Sequence, residues 1–590
     1  MFQDFSQTAR PEQGPPRLAA LRREMEAEGL AGFLVPRADA YQGEYVAPHD
    51  DRLAWLTGFT GSAGYCVALQ AKAGVFVDSR YRVQVKTQVA DVYTPVDWPE
   101  VGLAEWIADN LPEGGDLGFD PWLFSLDQIR RLEDALDGVT LHRCDNLVDR
   151  IWDDQPEAPA GAVAAQPLDL AGEAHEAKID RLAKGLEAAA CIITLPDSIA
   201  WLLNIRGTDI PRNPVPHGFA LLNRDGTVEL FMDAAKLEGL GDHLGDKVKV
   251  LPPEGFIAAV ATLGGRVQLD PATCPVVVAE AITGEIIECA DPCLLPKARK
   301  NAAELEGARA AHLRDGAAMV RFLAWVDAQA PGSFTEIDAV KALEGFRTAT
   351  NALRDISFET ISGSGPNGAI VHYRVTEDTD RTAQDGELLL VDSGGQYVDG
   401  TTDITRTIAI GTPGDEEQEA FTRVLKGMIG LSRLRFPKGL AGRDIDVLAR
   451  AALWDVGWDY GHGTGHGVGS YLSVHEGPAR IARSGTIAFE PGMILSNEPG
   501  FYREGSYGIR IENLIAVEEA PELNGQVVPR MLRFETLTWV PIDRRLIRKE
   551  LLTEPERDWL DSYHAGVLER IGPLVEGNEA EWLKRACAPL

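Results

Sequence analysis

The stretch Gly386–Thr407, GELLLVDSGGQYVDGTTDITRT, constrains this chain more than any other. Two apolar-rich runs, Glu387–Asp392 and Thr401–Ile410, flank a Gly-containing turn, the pattern of a β-hairpin. With Gln396–Asp399 as the loop, Asp392 is expected directly opposite Asp403, about 5 Å away at Cβ. Like charges so placed repel, and they cost stability unless a cation lies between them. The hairpin therefore predicts a cation-binding fold whose remaining ligands lie elsewhere in the chain.

A chain of 590 residues exceeds a single hydrophobic core, so several domains are expected. Its 57 basic and 90 acidic residues give a net charge of −33, a field that disfavours nucleic acid and anionic membrane. No run of about 18 uncharged apolar residues occurs, which predicts no membrane span. The opening MFQDFSQTARPEQGPPR has no apolar core of signal-peptide type. Seven scattered cysteines, only Cys289 and Cys293 close together, fit reduced thiols. The expected location is the cytoplasm.

Short elements recur in a fixed order. A helix over Leu18–Leu30 precedes a strand at Gly32–Val35, a segment containing Ala54-Trp55-Leu56, and strands at Gly64–Leu69 and Gly74–Asp78. Asp116–Phe119 and Val139–His142 add strands around a helix at Leu126–Leu136, and Ala158–His175 reads as a linker. Next come a helix at Ile179–Ala190, a strand at Cys191–Leu195, a second AWL segment at Ala200–Leu202, and strands at Phe219–Leu222 and Thr227–Met232. This repetition predicts a duplicated α/β unit, with Trp55 and Trp201 as packing anchors. Leu294–Lys300 reads as a connector, and a long helix follows from Asn301 to about Asp327. The expected domains are 1–157, 158–300 and 301–590, the last carrying the chemistry.

Beyond the hairpin, His462 and His466 sit in GHGTGHGVG, where so much glycine argues for a loop or a closely approached strand end. His475-Glu476-Gly477-Pro478 follows, and Glu498 ends a short apolar strand. Tyr507–Val517 alternates as a strand with Arg510 and Glu512 on one face. Each residue alone has an ordinary structural explanation. Together, Asp392, Asp403, Glu498 and Glu512 are four carboxylates beside apolar strand runs, where unpaired charge is expensive. A metal cluster removes that cost. Of the other histidines, His312 is expected on a helix face and His564 on the surface.

The motifs VDSGGQYVDGTTDITRT, GHGTGHGVG, HEGP, SNEPG and YGIRIEN resemble, in this order, those of the pita-bread metallopeptidases. Nearly the whole chain is similar to the three-domain, cytosolic-type Xaa-Pro aminopeptidases, including a C-terminal extension over about 526–590 with LTWVPID and LLTEPE. The resemblance implies an α/β (α+β) fold: two duplicated creatinase-like N-terminal domains, then a pita-bread catalytic domain. It implies Asp392, Asp403, His466, Glu498 and Glu512 as ligands of two divalent ions bridged by Asp403 and Glu512. This hard, oxygen-rich set suits Mn²⁺. The implied reaction is metal-assisted hydrolysis of the bond before a penultimate proline, with Glu498 as general acid/base. His372 and His475 are then expected at the substrate carbonyl, His462 in the proline pocket, and Arg510 orienting Glu512 or Asp392. The family also implies a homodimer. Two other readings are a prolidase, sharing the metal site but limited to Xaa-Pro dipeptides, and a metal-free peptide-binding module. The module predicts broken ligand positions, and none is broken.

Overall fold

Apolar runs of four to six residues, punctuated by Gly, Pro and Asp, become the strands of several separate sheets. A computed structural model describes residues 1–590, which divide into two compact units, Thr8–Leu294 and Met1–Gln7 with Leu295–Leu590.

The unit Thr8–Leu294 contains two six-stranded sheets of identical topology. The first is built from Gly32–Pro36, Tyr65–Leu69, Ala73–Val77, Thr94–Asp97, Gly115–Phe119 and Val139–Arg143; the second from Ala190–Ile193, Phe219–Asn223, Val228–Phe231, Val248–Leu251, Arg266–Leu269 and Glu285–Glu288. In each, the spatial order is fourth, third, second, first, fifth, sixth. The first three strands pair antiparallel and the remaining neighbours parallel in both sheets. Such agreement in order and direction is the duplication expected from the sequence. Both AWL segments are short helices, Arg52–Thr57 and Pro196–Leu203, each ending on a left-handed residue, Gly58 or Asn204. Trp55 stacks on Trp152 at 5.1 Å, while Trp201 carries the Lys178 ammonium 4.2 Å from its ring centroid.

Two expectations change here. The second helix runs His175–Gly185 and stops short of Ala190, because Leu186 turns to extended backbone and the buried Ala188 and Ala190 belong to the strand entry. The segment 158–175 is not a plain linker: Val163–Ala165 pairs with Ile205–Gly207, and His175 starts the helix as a buried residue.

In the other unit, the helix Ala302–Asp327 begins at Asn301, whose side chain accepts from the N–H groups of Ala303 and Glu304 in a capping box. A three-stranded sheet places Leu388–Ser393 between Ile361–Ser364 and Ile404–Ala409. A six-stranded sheet runs Arg435–Pro437, Met531–Thr536, Asn513–Glu519, Ile494–Asn497, Gly465–Gly467, Glu476–Ile481. The helices Asp415–Ser432 and Glu554–Ile571 share an apolar core with the strand pair Gly500–Arg503 and Tyr507–Arg510, through Met428, Phe501, Ile509 and Leu560. Arg406 is buried without a carboxylate partner. Its guanidinium donates to the carbonyls of Glu512, Val540 and Pro541 and to the Tyr563 hydroxyl, tying the C-terminal extension to the backbone beside Glu512.

Candidate metal centre

The hairpin register differs from expectation. Asp392 faces Thr405 and Tyr397 faces Gly400, so the loop is the two residues Val398–Asp399 rather than four. Asp392 and Asp403 are therefore diagonal neighbours. The offset is two residues, which preserves side-chain parity, so both carboxylates still share a face. Gly394 explains how the strands close so tightly: a Cβ there would lie 1.9 Å from the Thr402 carbonyl oxygen.

The glycines of GHGTGHGVG serve a strand with backbone packed on both sides. A Cβ at Gly465 would lie 2.0 Å from the Ser496 carbonyl, and one at Gly467 would lie 2.3 Å from that of Glu476. His466 sits between them. Its Nδ1 donates to the Gly467 carbonyl at 2.9 Å, which fixes the ring and turns Nε2 towards the carboxylates. Nε2 is 3.5 Å from Asp403 Oδ2 and 3.4 Å from Glu498 Oε1. Asp403, His466 and Glu512 each bring one ligand atom within 4.8 Å of the others. Glu512 follows the strand Tyr507–Arg510 at a break before Asn513–Glu519, so the alternating run is two strands rather than one.

The surrounding hydrogen bonds leave oxygens free. Asp392 Oδ2 accepts from Arg510 Nη2 at 2.6 Å, and Glu512 Oε2 accepts from the Thr405 hydroxyl at 2.7 Å. Asp392 Oδ1, Asp403 Oδ1 and Glu512 Oε1 are buried with no partner. Burial raises the Asp403 carboxyl to about 6; the His466 hydrogen bond opposes this and the Asp392 charge adds to it. Burial, followed by the charges of Asp403, Glu498 and Asp392, holds Glu512 well above the carboxylate range. Burial lowers the basicity of His466, but Asp403 and Glu498 outweigh it and raise the imidazole to about 9. A set of acidic oxygens that can ionise together only beside positive charge, three of them aimed at nothing, fits divalent cations.

Arg510 pairs with Asp392, and its Nε also reaches Thr405, the hydroxyl that serves Glu512. Its Nη1 donates to Tyr502 Oη at 2.6 Å, and Tyr502 meets His462 Nε2 at 2.9 Å. Burial lifts the Tyr502 phenol to about 12 against the pull of Arg510, so it keeps its proton for His462. His475 packs edge-on against His466, ring centroids 4.2 Å apart. His372 is half-buried in the turn between the 3-10 helix Gly365–Ala369 and Tyr373, whose hydroxyl donates to Glu336 at 3.0 Å. That 3-10 helix lies hard against the strand leading to Arg510, since a Cβ at Gly508 would lie 1.7 Å from the Gly368 carbonyl oxygen.

Sequence reasoning missed Tyr502, Thr405 and Ser496, whose hydroxyl donates to Glu498 Oε1 at 3.1 Å. Thr405 was within reach, because strand parity puts it on the face of Asp403. His312 is on the long helix, fully buried, with Nδ1 2.7 Å from the Ala308 carbonyl. His564 is not a surface residue. It is fully buried on the helix Glu554–Ile571, and its Nε2 accepts from the Ile542 N–H at 3.1 Å.

Residues 306–519 match the model of metallopeptidase family M24 and residues 530–590 that of its C-terminal region. Residues 17–151 and 154–304 match two models of the creatinase/prolidase N-terminal domain. The class is thus a metallopeptidase with paired creatinase-type N-terminal domains on a pita-bread fold. A probable Xaa-Pro aminopeptidase P of Laccaria bicolor is 38% identical over 600 residues, covering 97% of this chain and 93% of its own. Aminopeptidase P2 of Arabidopsis thaliana is 37% identical, covering 97% and 88%. The crystal structure of an X-prolyl aminopeptidase from Caenorhabditis elegans, described as a cytosolic enzyme with a di-nuclear active site, superposes with a TM-score of 0.92 at 33% identity, covering 98% and 100%. The chain belongs to the Xaa-Pro aminopeptidase P family.

Proposed function

We propose that this chain removes the N-terminal residue from peptides with proline in second position, with two divalent ions held by Asp392, Asp403, His466, Glu498 and Glu512. The observation that carries the reading is the set of three partnerless buried carboxylate oxygens, on Asp392, Asp403 and Glu512, of which the last two residues each bring a ligand atom within 4.8 Å of His466. Four carboxylates and one imidazole favour Mn²⁺ over softer-ligand metals. When bound, the ions supply an acidified water and polarise the scissile carbonyl.

The chain's own groups do the rest. Arg510 fixes the Asp392 carboxylate, and Thr405 fixes that of Glu512. Glu498, steadied by the Ser496 hydroxyl, takes the proton from the attacking water and delivers it to the leaving nitrogen. That delivery is needed because proline nitrogen in a peptide bond carries no hydrogen of its own. His372 and His475 donate to the oxygen that gains charge as the carbonyl becomes tetrahedral. His462, held by Tyr502, lines the pocket for the proline ring.

In this reading the chain divides at 1–157, 158–300 and 301–590, and the paired N-terminal domains favour an aminopeptidase over a prolidase. No helix is long and apolar enough to cross a membrane, which fits a cytoplasmic enzyme. The likeness to Xaa-Pro aminopeptidases favours a homodimer, and Val447, Leu448, Trp454 and Val456 are exposed on and just beyond the helix Gly442–Trp454. The test incubates the Mn²⁺-loaded protein with Arg-Pro-Pro and with Xaa-Pro dipeptides. Release of arginine from the tripeptide is expected. Cleavage of dipeptides alone shifts the assignment to prolidase, and no cleavage with any divalent ion overturns it.

A further inference from the structure

One buried charge cluster of the catalytic unit takes part in none of these steps. Lys297 and Lys300, from the segment preceding the long helix, converge on a single carboxylate, Glu476. Lys300 Nζ pairs with Glu476 Oε1, and Lys297 Nζ stands 3.2 Å from Oε2. All three side chains are 1% exposed. Lysine is rarely buried so completely, and each charge taken out of water costs free energy that its partners must offset. As a stabilising device this is weak, since apolar side chains of similar volume commonly do as well.

The position of the cluster suggests another role. Glu476 directly follows His475 and opens the strand Glu476–Ile481. It pairs with Gly467 at the register break that immediately follows His466. Lys300 is itself anchored: its N–H donates to the Gly492 carbonyl at 3.0 Å, and Arg299 forms a bridge with Met493. A chain of fixed groups thus runs from Leu295–Lys300 to the backbone of His475, whose ring lies 4.2 Å from that of His466.

We infer that Lys297 and Lys300 act through Glu476 as positioning residues for His475, setting the direction of its imidazole towards the substrate carbonyl. The inference rests on the reading above that His475 meets that carbonyl. It makes the segment that looked like a connector in the sequence part of the reaction's scaffold.

The test compares Lys297→Met, Lys300→Met, Glu476→Gln and His475→Ala in the full-length, Mn²⁺-loaded protein, with kcat and KM for Arg-Pro-Pro measured separately. Metal content and thermal midpoint are recorded for each variant. The three cluster variants are expected to lose about 10- to 100-fold in kcat with KM and metal content near wild type, because small misplacements of a reacting group act on the chemical step. Glu476→Gln with Lys300→Met is expected to be no slower than Glu476→Gln alone, since both act through one carboxylate. If the Met variants do not fold, Lys300→Arg and Glu476→Asp keep the charges but alter the geometry, and the same drop in kcat is expected. Folded cluster variants with wild-type kcat, beside a slow His475→Ala, overturn this inference alone. Wild-type kcat in His475→Ala overturns both it and the assignment of His475.

Discussion

Asp315, which accepts from the Thr402 hydroxyl, and Asp403, the next residue after Thr402, are both buried, yet their surroundings are opposite. Asp315, on the long helix, takes two hydrogen bonds from Arg347 at 2.7 and 3.0 Å, one from Tyr397 at 2.7 Å and one from Thr402 at 3.0 Å. Burial pushes its carboxyl up, but Arg347, Tyr397 and Thr402 outweigh that and hold it below the usual range. Asp403 has no arginine, one oxygen without a partner, and a carboxyl raised to about 6. Equal burial with unequal compensation separates structure from site. The chain supplies Asp315 with an arginine of its own, whereas Asp403 shares one imidazole, that of His466, with Glu498 and stands among the like charges of Asp392 and Glu498.

The sharpest way to break this contrast is Asp403→Asn. Hydrolysis is expected to fall by roughly 10³-fold or more, the equivalent of the several kcal/mol that bound ions contribute to the transition state. In chelator, the variant's thermal midpoint should equal or exceed that of wild type, because a repelling carboxylate has gone. Steady-state kinetics and calorimetry decide it; retained turnover, or a collapsed midpoint, would make Asp403 another Asp315.

Asp315→Asn should behave in the reverse way. It strands the Arg347 guanidinium in the core, at a cost of about 3–5 kcal/mol. Urea unfolding in chelator measures this, and an unchanged midpoint concentration would show that the pair contributes nothing. A smaller effect follows from adding Mn²⁺ to the wild-type protein, about 2.7 kcal/mol of stabilisation when the free ion is at 100 times its Kd. Asp403→Asn should lose most of that gain, and an equal gain in both proteins would remove Asp403 from the site.

The same contrast explains what could be read from residues alone. Asp392, Asp403, Glu498 and Glu512 stood out because a charge inside an apolar strand run is anomalous in any register. The duplicated sheets were readable because each strand is a short apolar word between turn residues, repeated in order. The hairpin register was not, since the Asp-Gly pair that marks a two-residue loop is here Asp399-Gly400, one residue out of step with the loop Val398–Asp399. Tyr502 and Thr405 are uncharged and meet partners such as His462 and Glu512 only after folding. Lys297 and Lys300 read as part of a connector because nothing in Leu294–Lys300 marks lysines, ordinarily exposed, as buried.

His564 was misjudged for a related reason, and it yields the smallest of the expected effects. The helix Glu554–Ile571 places this ring in the interior, where its Nε2 accepts from the Ile542 N–H and its Nδ1 has no partner. Burial, reinforced by the positive charges of Arg544 and Arg406, lowers the imidazole to about 3. In the unfolded chain it titrates near the ordinary histidine value of about 6.5. The folded state therefore binds fewer protons between these values, so the contribution is fully present above pH 6.5. It is lost progressively as pH falls towards 3. Between pH 7 and 5 the loss amounts to about 2 kcal/mol. His564→Gln offers a neutral acceptor to the Ile542 N–H and cannot titrate. Urea unfolding at pH 7 and 5 should show a smaller loss of stability in that variant than in wild type. Equal losses would mean that His564 does not carry this part of the acid sensitivity, and that its burial is compensated in a way the Asp315–Arg347 pair is, but Asp403 is not.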